Sequence, residues 1–242
     1  MASRAAAEAQ PACPLGECDG SGWILGPEDI ARPCGCRERS VARNKAKGVS
    51  SVIPPRYRGV SFERPPVTEI NSVVVSRVKE FCEDLESNLA SGTGLWFVGG
   101  PGTGKTTLAM LVSRTALEAG HTVAIYSLPR LLSRIRRTFD AEPGEQSYLE
   151  LFERLTSVEL LHLDDLGAES RTEWVLEQLY ALVNERYETN RSLVVTTNLD
   201  QADLEEQIGE RVVSRLVEMC GDPLPLYDDD RRLRVAPTPG AS

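Results

Sequence analysis

Residues 99–107 read GGPGTGKTT, and no other stretch of the 242-residue chain restricts its fold as strongly. Gly99, four residues, then Gly104, Lys105 and Thr106 match the phosphate-binding P-loop pattern, which requires a strand before it and a helix after it. Both are predicted: GLWFVG reads as a short apolar strand, and GKTTLAMLVSRTALEAG as a helix closed by Gly120. The residue types follow from the chemistry. Along Gly99, Gly100, Pro101, Gly102, Thr103 and Gly104 the glycines let backbone N–H groups close on phosphate oxygens. Lys105 brings a point charge to the β and γ oxygens, Thr106 offers magnesium a hydroxyl, and the helix N-terminus adds partial positive charge. A glycine-rich turn matching by chance is the alternative, and the strand and helix around it argue against that.

The rest of the chain alternates in the same way. HTVAIYS is followed by LPRLLSRIRRTF, ELLHLDD by TEWVLEQLYALVNERYETN, and that by SLVVTTN. Strands alternating with helices of this length predict an α/β fold, a parallel sheet sandwiched by helices. Val158, Leu160, Leu161 and Leu163 form a run too continuous for a half-exposed strand. They predict a buried strand that delivers Asp164 and Asp165 at its carboxyl end, where open α/β sheets place ligands. A strand followed by a solvated turn would read alike. The P-loop breaks the tie, because its chemistry needs a second strand ending in an acid that holds magnesium. Asp164 is placed for that role. Asp165 is placed to orient or deprotonate the attacking water, and being one methylene shorter than Glu it predicts slow turnover. His162 reads as a packed strand residue.

Asn198 ends SLVVTTN, either reaching the γ-phosphate or capping the strand. IGERVVSRLVEM reads as a helix with Arg211 and Arg215 on one face. Such arginines are ordinarily solvated, but in an oligomeric ATPase one can reach a neighbour's nucleotide.

Four of the six cysteines lie near the start: Cys13, Cys18, Cys34 and Cys36, spaced C-x4-C, fifteen residues, C-x-C. Four thiolates suit tetrahedral zinc; unpaired thiols or two disulfides are the alternatives. Cys82 and Cys220 sit in apolar helical settings and read as core. The opening MASRAAAEAQPA lacks an apolar segment and other apolar runs are strand-length, which predicts no export signal, no membrane span and a cytoplasmic chain with reduced thiols. The net charge of −9 excludes a protein that coats nucleic acid over its whole surface, so any such contact needs a local basic face. SLPRLLSRIRRTF offers one: with Ser127 as N-cap and Leu131, Leu132, Ile135 and Phe139 facing inward, Arg130, Arg134 and Arg137 form an outward stripe. The expected organisation is a disordered start (1–10), a Cys-rich zinc module (11–36), a basic connector (37–51), the main domain (52–235) and a disordered tail (236–242).

The P-loop, LLHLDDLGAE, TEWVLEQLYALVNERY, VVTTNL and IGERVVSRL occur in an order that resembles the AAA+ ATPases loading the bacterial replicative helicase. Over roughly residues 52–235 the chain is similar to the DnaC/DnaI-type loaders and their IstB-like transposition relatives. The resemblance implies binding and slow, DNA- or partner-stimulated hydrolysis of ATP with Mg2+ through Lys105, Asp164 and Asp165. It puts the sensor asparagine on Asn198, the arginine finger on Arg215 in SRL, and the late sensor arginine on Arg232 in DDDRRLRV, with Arg231 as the alternative register. It implies a reduced helical lid and, as partners, the replicative helicase, single-stranded DNA and further copies of the chain when ATP is bound. Zinc-binding N-terminal modules that contact the helicase occur among DnaI-like loaders, and the related loaders hold single-stranded DNA inside a spiral, which turns the arginine stripe toward DNA. Thr107 stands where many relatives have His and is expected to serve as well. An IstB-like ATPase assisting a transposase and a zinc-dependent nucleotide-binding adaptor without turnover are the rival readings.

Overall fold

The structure is a computed structural model. It describes Cys13 and residues 15–18, 23–25, 31–36, 53–139 and 146–227; the connector at 37–51, both terminal segments and Arg231 and Arg232 lie outside the described residues. Near the start, β1 (Trp23–Leu25) pairs antiparallel with β2 (Ala31–Pro33). The main body begins with two helices, α1 (Ser72–Glu83) and α2 (Leu85–Ala90). Then follow β3 (Leu95–Val98), α3 (Lys105–Glu118), β4 (Val123–Ser127), α4 (Leu128–Phe139), α5 (Tyr148–Ser157) and β5 (Leu160–Leu166). It closes with α6 (Glu173–Glu188), β6 (Ser192–Thr197), α7 (Gln201–Ile208), α8 (Glu210–Cys220) and β7 (Leu224–Pro225). The strands form one sheet in the order β4-β5-β6-β3-β7, every neighbouring pair parallel.

The pleat explains why the strand sequences are apolar throughout. Leu95, Phe97, Val123, Ile125, Leu160 and Val194 point to one face and pack with α1, α2 and α3. Trp96, Ala124, Tyr126, Leu161, Leu163, Leu193 and Val195 point to the other and pack with α4 to α8. A sheet covered on both sides has no polar face to alternate with. The helices start where short polar side chains satisfy their free N–H groups: Asn71, Thr172 and Asp200 cap α1, α6 and α7, and Ser147 with Glu150 forms a capping box on α5.

Ser127 ends β4 and directly precedes Leu128, the first residue of α4. Two local expectations are corrected. IGERVVSRLVEM is divided at Gly209, whose φ of 92° ends α7 at Ile208 before α8 carries Arg211 and Arg215. Phe139 is 58% exposed and lies outside the core. It is the last residue of α4, and its ring stacks on Tyr148 (centroids 5.4 Å apart) and meets the edge of Trp174.

Two buried charges fasten the start of β5. His121 Nδ1 lies 2.9 Å from Glu159 Oε1 and its Nε2 3.3 Å from Glu86 Oε2, while the Thr122 N–H and hydroxyl both donate to Glu159 Oε2. The fully buried Arg186 donates to the carbonyls of Leu155 and Ser192, each at 2.6 Å, and to that of Glu159 at 3.3 Å, tying α5 to β5 and β6.

Candidate nucleotide-binding site

The P-loop spans the turn from β3 to α3, and two of its glycines are demanded by the protein itself. At Gly99 (φ 148°) a Cβ would stand 2.0 Å from the Leu226 carbonyl, because Leu226 N–H bonds Val98 O and lays the end of the sheet against the loop. At Gly104 (φ 105°) a Cβ would meet Ile70 Cδ1 at 2.5 Å. Lys105 is buried, and its Nζ donates to the carbonyls of Gly99 and Gly100 at 2.7 Å each, so the ammonium is held on the loop that precedes its helix.

Across the loop, Thr106 Oγ1 donates to Asp164 Oδ1 at 2.9 Å and Thr196 Oγ1 to the same oxygen at 2.7 Å. Burial by itself would raise the Asp164 carboxyl. His162, whose Nε2 stands 3.9 Å away, together with the hydroxyls of Thr196 and Thr106, outweighs it and holds the pKa below the ordinary carboxylate range. A hydroxyl and an ionised carboxylate converging at the foot of a P-loop are the hard oxygen donors that Mg2+ takes. The donor set fits that ion. His162 is fully buried and its Nδ1 lies 3.0 Å from Ser113 Oγ on α3, so it braces the acid from behind.

Asp165 adopts φ 60°, a left-handed conformation uncommon outside glycine, where β5 loses register with β6 between Leu163 and Leu166. Its N–H donates to Thr196 Oγ1 at 3.0 Å. Asp165, Asn198, Pro101, Gly102, Gly104, Lys105, Thr106 and Thr107 line one cleft of about 740 Å3. Its far wall consists of Arg56, Tyr57, Pro66, Glu69 and Ile70, near the 3-10 turns Pro55–Tyr57 and Val67–Glu69. No motif marks this wall in the sequence; its first part, IPPRYRG, only opens the main domain at residues 53–59.

Arg211 and Arg215 are not among the residues lining this cleft. On α8, the Arg215 guanidinium lies 4.0 Å from the Tyr187 ring centroid and donates through Nη1 to Glu218 Oε1 at 3.1 Å. On α4, Arg130 and Arg137 are exposed, but Arg134 is half-buried. Its Nη1 donates to the Tyr126 hydroxyl and its Nη2 to Gln146 Oε1, which corrects the three-residue outward stripe to two. The long side chain curls back onto its neighbours, while Arg136, unassigned in the sequence, lies over the Trp174 ring.

Cys13, Cys18, Cys34 and Cys36 bring their sulfurs within 4.8 Å of one another, with Cys13–Cys34 at 3.8 Å and Cys18–Cys36 at 3.4 Å. A tetrahedron of thiolates at the usual Zn–S distance has edges of about 3.8 Å. All four are free thiols, so the pair-of-disulfides alternative does not describe this arrangement. Burial and the neighbouring thiols push Cys36 up, whereas at Cys13 the backbone N–H groups of Cys18, Glu17 and Leu15 outweigh burial and bring the pKa to about 6. The four thiols fit a zinc ion.

Residues 86–220 match the family described as IstB-like ATP binding protein, more than half of the chain. The chain belongs to the IstB-like ATP-binding family. Among its relatives is the replicative helicase loader DnaC of Buchnera aphidicola subsp. Baizongia pistaciae, 32% identical over 189 residues, which are 74% of each chain. The crystal structure of the DnaC helicase loader superposes with a TM-score of 0.62 at 26% identity, covering 73% of this chain and all of that one. The DnaI crystal structure shares the fold, with a TM-score of 0.59 at 21% identity over 74% of this chain and 94% of that one. Within the IstB-like span lie the P-loop, both aspartates, Asn198 and both α8 arginines; the cysteine cluster and the whole far wall precede it. Among the described residues no helix is long and apolar enough to cross a membrane.

Proposed function

We propose that this chain is an AAA+ ATPase of the helicase-loader type, which assembles with its own copies around single-stranded DNA and delivers a replicative helicase when replication starts. The observation that carries the reading is the Thr106–Asp164 pair, 2.9 Å apart beneath the P-loop, in a chain 32% identical to a replicative helicase loader. Thr106 and Asp164 would hold a magnesium ion, which would supply charge neutralisation to the phosphates. Lys105 turns its ammonium from the loop carbonyls to the phosphates. Asp165 orients the attacking water with Asn198 beside it, Tyr57 and its neighbours take the base, and Arg215 reaches the nucleotide of the adjoining subunit. Arg232, as late sensor, lies outside the described residues. Arg130 and Arg137 contact DNA phosphates, and the four-cysteine module holds zinc and meets the helicase. The family match keeps a transposition ATPase as the second reading.

Turnover of Mg-ATP with and without single-stranded DNA, joined to capture of the partner from extract, tests the proposal. Wild type should hydrolyse slowly, faster with DNA, and retain a helicase. Lys105→Ala should lose nucleotide affinity, and Asp164→Asn should lose magnesium-dependent turnover. Nucleotide bound but never hydrolysed under any condition would leave an adaptor, and a captured transposase would select the second reading.

A further inference from the structure

Three side chains on two helices, Glu218 exposed and Arg215 and Tyr187 half-buried, close a triangle in which each touches the other two. Arg215 Nη1 donates to Glu218 Oε1 at 3.1 Å, the Tyr187 hydroxyl donates to Glu218 Oε2 at 2.6 Å, and the Arg215 guanidinium carbon stands 4.0 Å from the centre of the Tyr187 ring. Arg215 and Glu218 lie one turn apart on α8, and Tyr187 comes from the last turn of α6, which packs beside it. The Tyr187 bond holds Glu218 below its ordinary range, and the same carboxylate pushes Tyr187 up, so at neutral pH the acid is ionised and the phenol keeps its proton.

An arginine on a helix surface ordinarily samples many rotamers, and freezing it costs entropy that a transient contact must supply. Here a ring face and a carboxylate fix the plane and direction of the guanidinium beforehand. One N–H group goes to Glu218, and a planar fork with five donors keeps others for a second oxyanion. None of the three lines this chain's own nucleotide cleft, so the remaining donors of that fork do not serve the nucleotide of the same subunit.

We propose that Tyr187 and Glu218 are positioning residues for Arg215: they hold its guanidinium aimed out of the subunit, ready for the γ-phosphate bound by the neighbouring copy. The inference rests on the reading of Arg215 as a group acting in trans. Because misplacement by about 1 Å can cost on the order of a hundredfold in rate, Glu218→Gln and Tyr187→Leu should each lower turnover about ten- to a hundredfold. Tyr187→Phe, which keeps the ring and loses only the bond to Glu218, should fall between them and wild type.

The experiment measures Mg-ATP turnover of the full chain with single-stranded DNA, and nucleotide affinity by titration with a fluorescent ATP analogue. The expected result is lower turnover at unchanged affinity, with no further loss when Glu218→Gln is added to Arg215→Ala. Mixing Glu218→Gln with Asp165→Asn protein should restore part of the rate, since each supplies what the other lacks. If Arg215→Ala lowers turnover while Glu218→Gln and Tyr187→Leu leave it unchanged or raise it, the positioning role is wrong and the reading of Arg215 stands. If Arg215→Ala itself has no effect, that reading falls and takes this one with it. A loss that persists undiminished in the Arg215→Ala background, or fails to recover on mixing, marks a local packing role and also overturns the proposal.

Discussion

Glu159 stands just before β5 with one oxygen on His121 and the other on the N–H and hydroxyl of Thr122. Burial would raise its carboxyl, but these contacts outweigh it and bring the pKa to about 2, against 4.5 for a free side chain. A depressed folded-state pKa contributes stability that is present above the unfolded value and disappears as pH falls through the folded one. The contribution, about 3 kcal/mol, should therefore be complete above pH 4.5 and vanish toward pH 2. Urea midpoints between pH 7 and 3 should drop more steeply for wild type than for Glu159→Gln, which starts lower. Parallel curves would assign the acid sensitivity elsewhere. Nothing beside Glu159 in the chain announces this, because His121 lies 38 residues earlier and only the parallel pairing of β4 with β5 brings them together. The same holds for Asp165: its identity was legible, but its φ of 60° arises from a register shift that no local pattern encodes.

At the scale of elements, α6 depends on a charge that has no counter-charge among the described residues. Arg186 is fully buried, reaches only backbone carbonyls, and burial brings its pKa down to about 9. Replacing it with Leu would strand the carbonyls of Leu155 and Ser192 where α5 ends and β6 begins. Each unmatched buried group costs about 1–3 kcal/mol, so Arg186→Leu should lower unfolding stability by about 3–5 kcal/mol in denaturant titration. A change below about 1 kcal/mol would mean that water replaces the guanidinium. The helix itself was readable from TEWVLEQLYALVNERY, and its cap Thr172 is the residue just before Glu173. The clamp was not, because periodicity gives the angle at which a side chain leaves the helix and says nothing of how far a long one travels. Arg134 failed the outward stripe for that reason, and Phe139 failed the inward one because a helix's last turn can overhang the sheet it covers.

For the whole molecule, the α/β architecture followed from the alternation of apolar strands and amphipathic helices, and the phosphate side of the cleft followed from the P-loop. The opposite wall, from Arg56 to Ile70, has no motif and is assembled by tertiary contact. The cysteine cluster was legible through spacing alone, and its four sulfurs lie within 4.8 Å of one another, close enough to share one zinc ion. Structural zinc in small cysteine sites contributes on the order of 10 kcal/mol, so freshly reduced protein should carry one zinc per chain, and chelation should unfold the segment around Cys13 to Cys36 while the main thermal transition stays. Metal analysis and calorimetry before and after chelator read both quantities, and absence of stoichiometric zinc would sink the assignment. One contact reaches from the far end of the sheet into the loop: the Leu226 carbonyl occupies the place where a side chain at position 99 would begin. The first glycine of the phosphate loop therefore answers to β7 as well as to a ligand. Loss of this last strand would remove the Leu226 carbonyl but leave the backbone at φ 148°, so two independent constraints hold glycine at position 99.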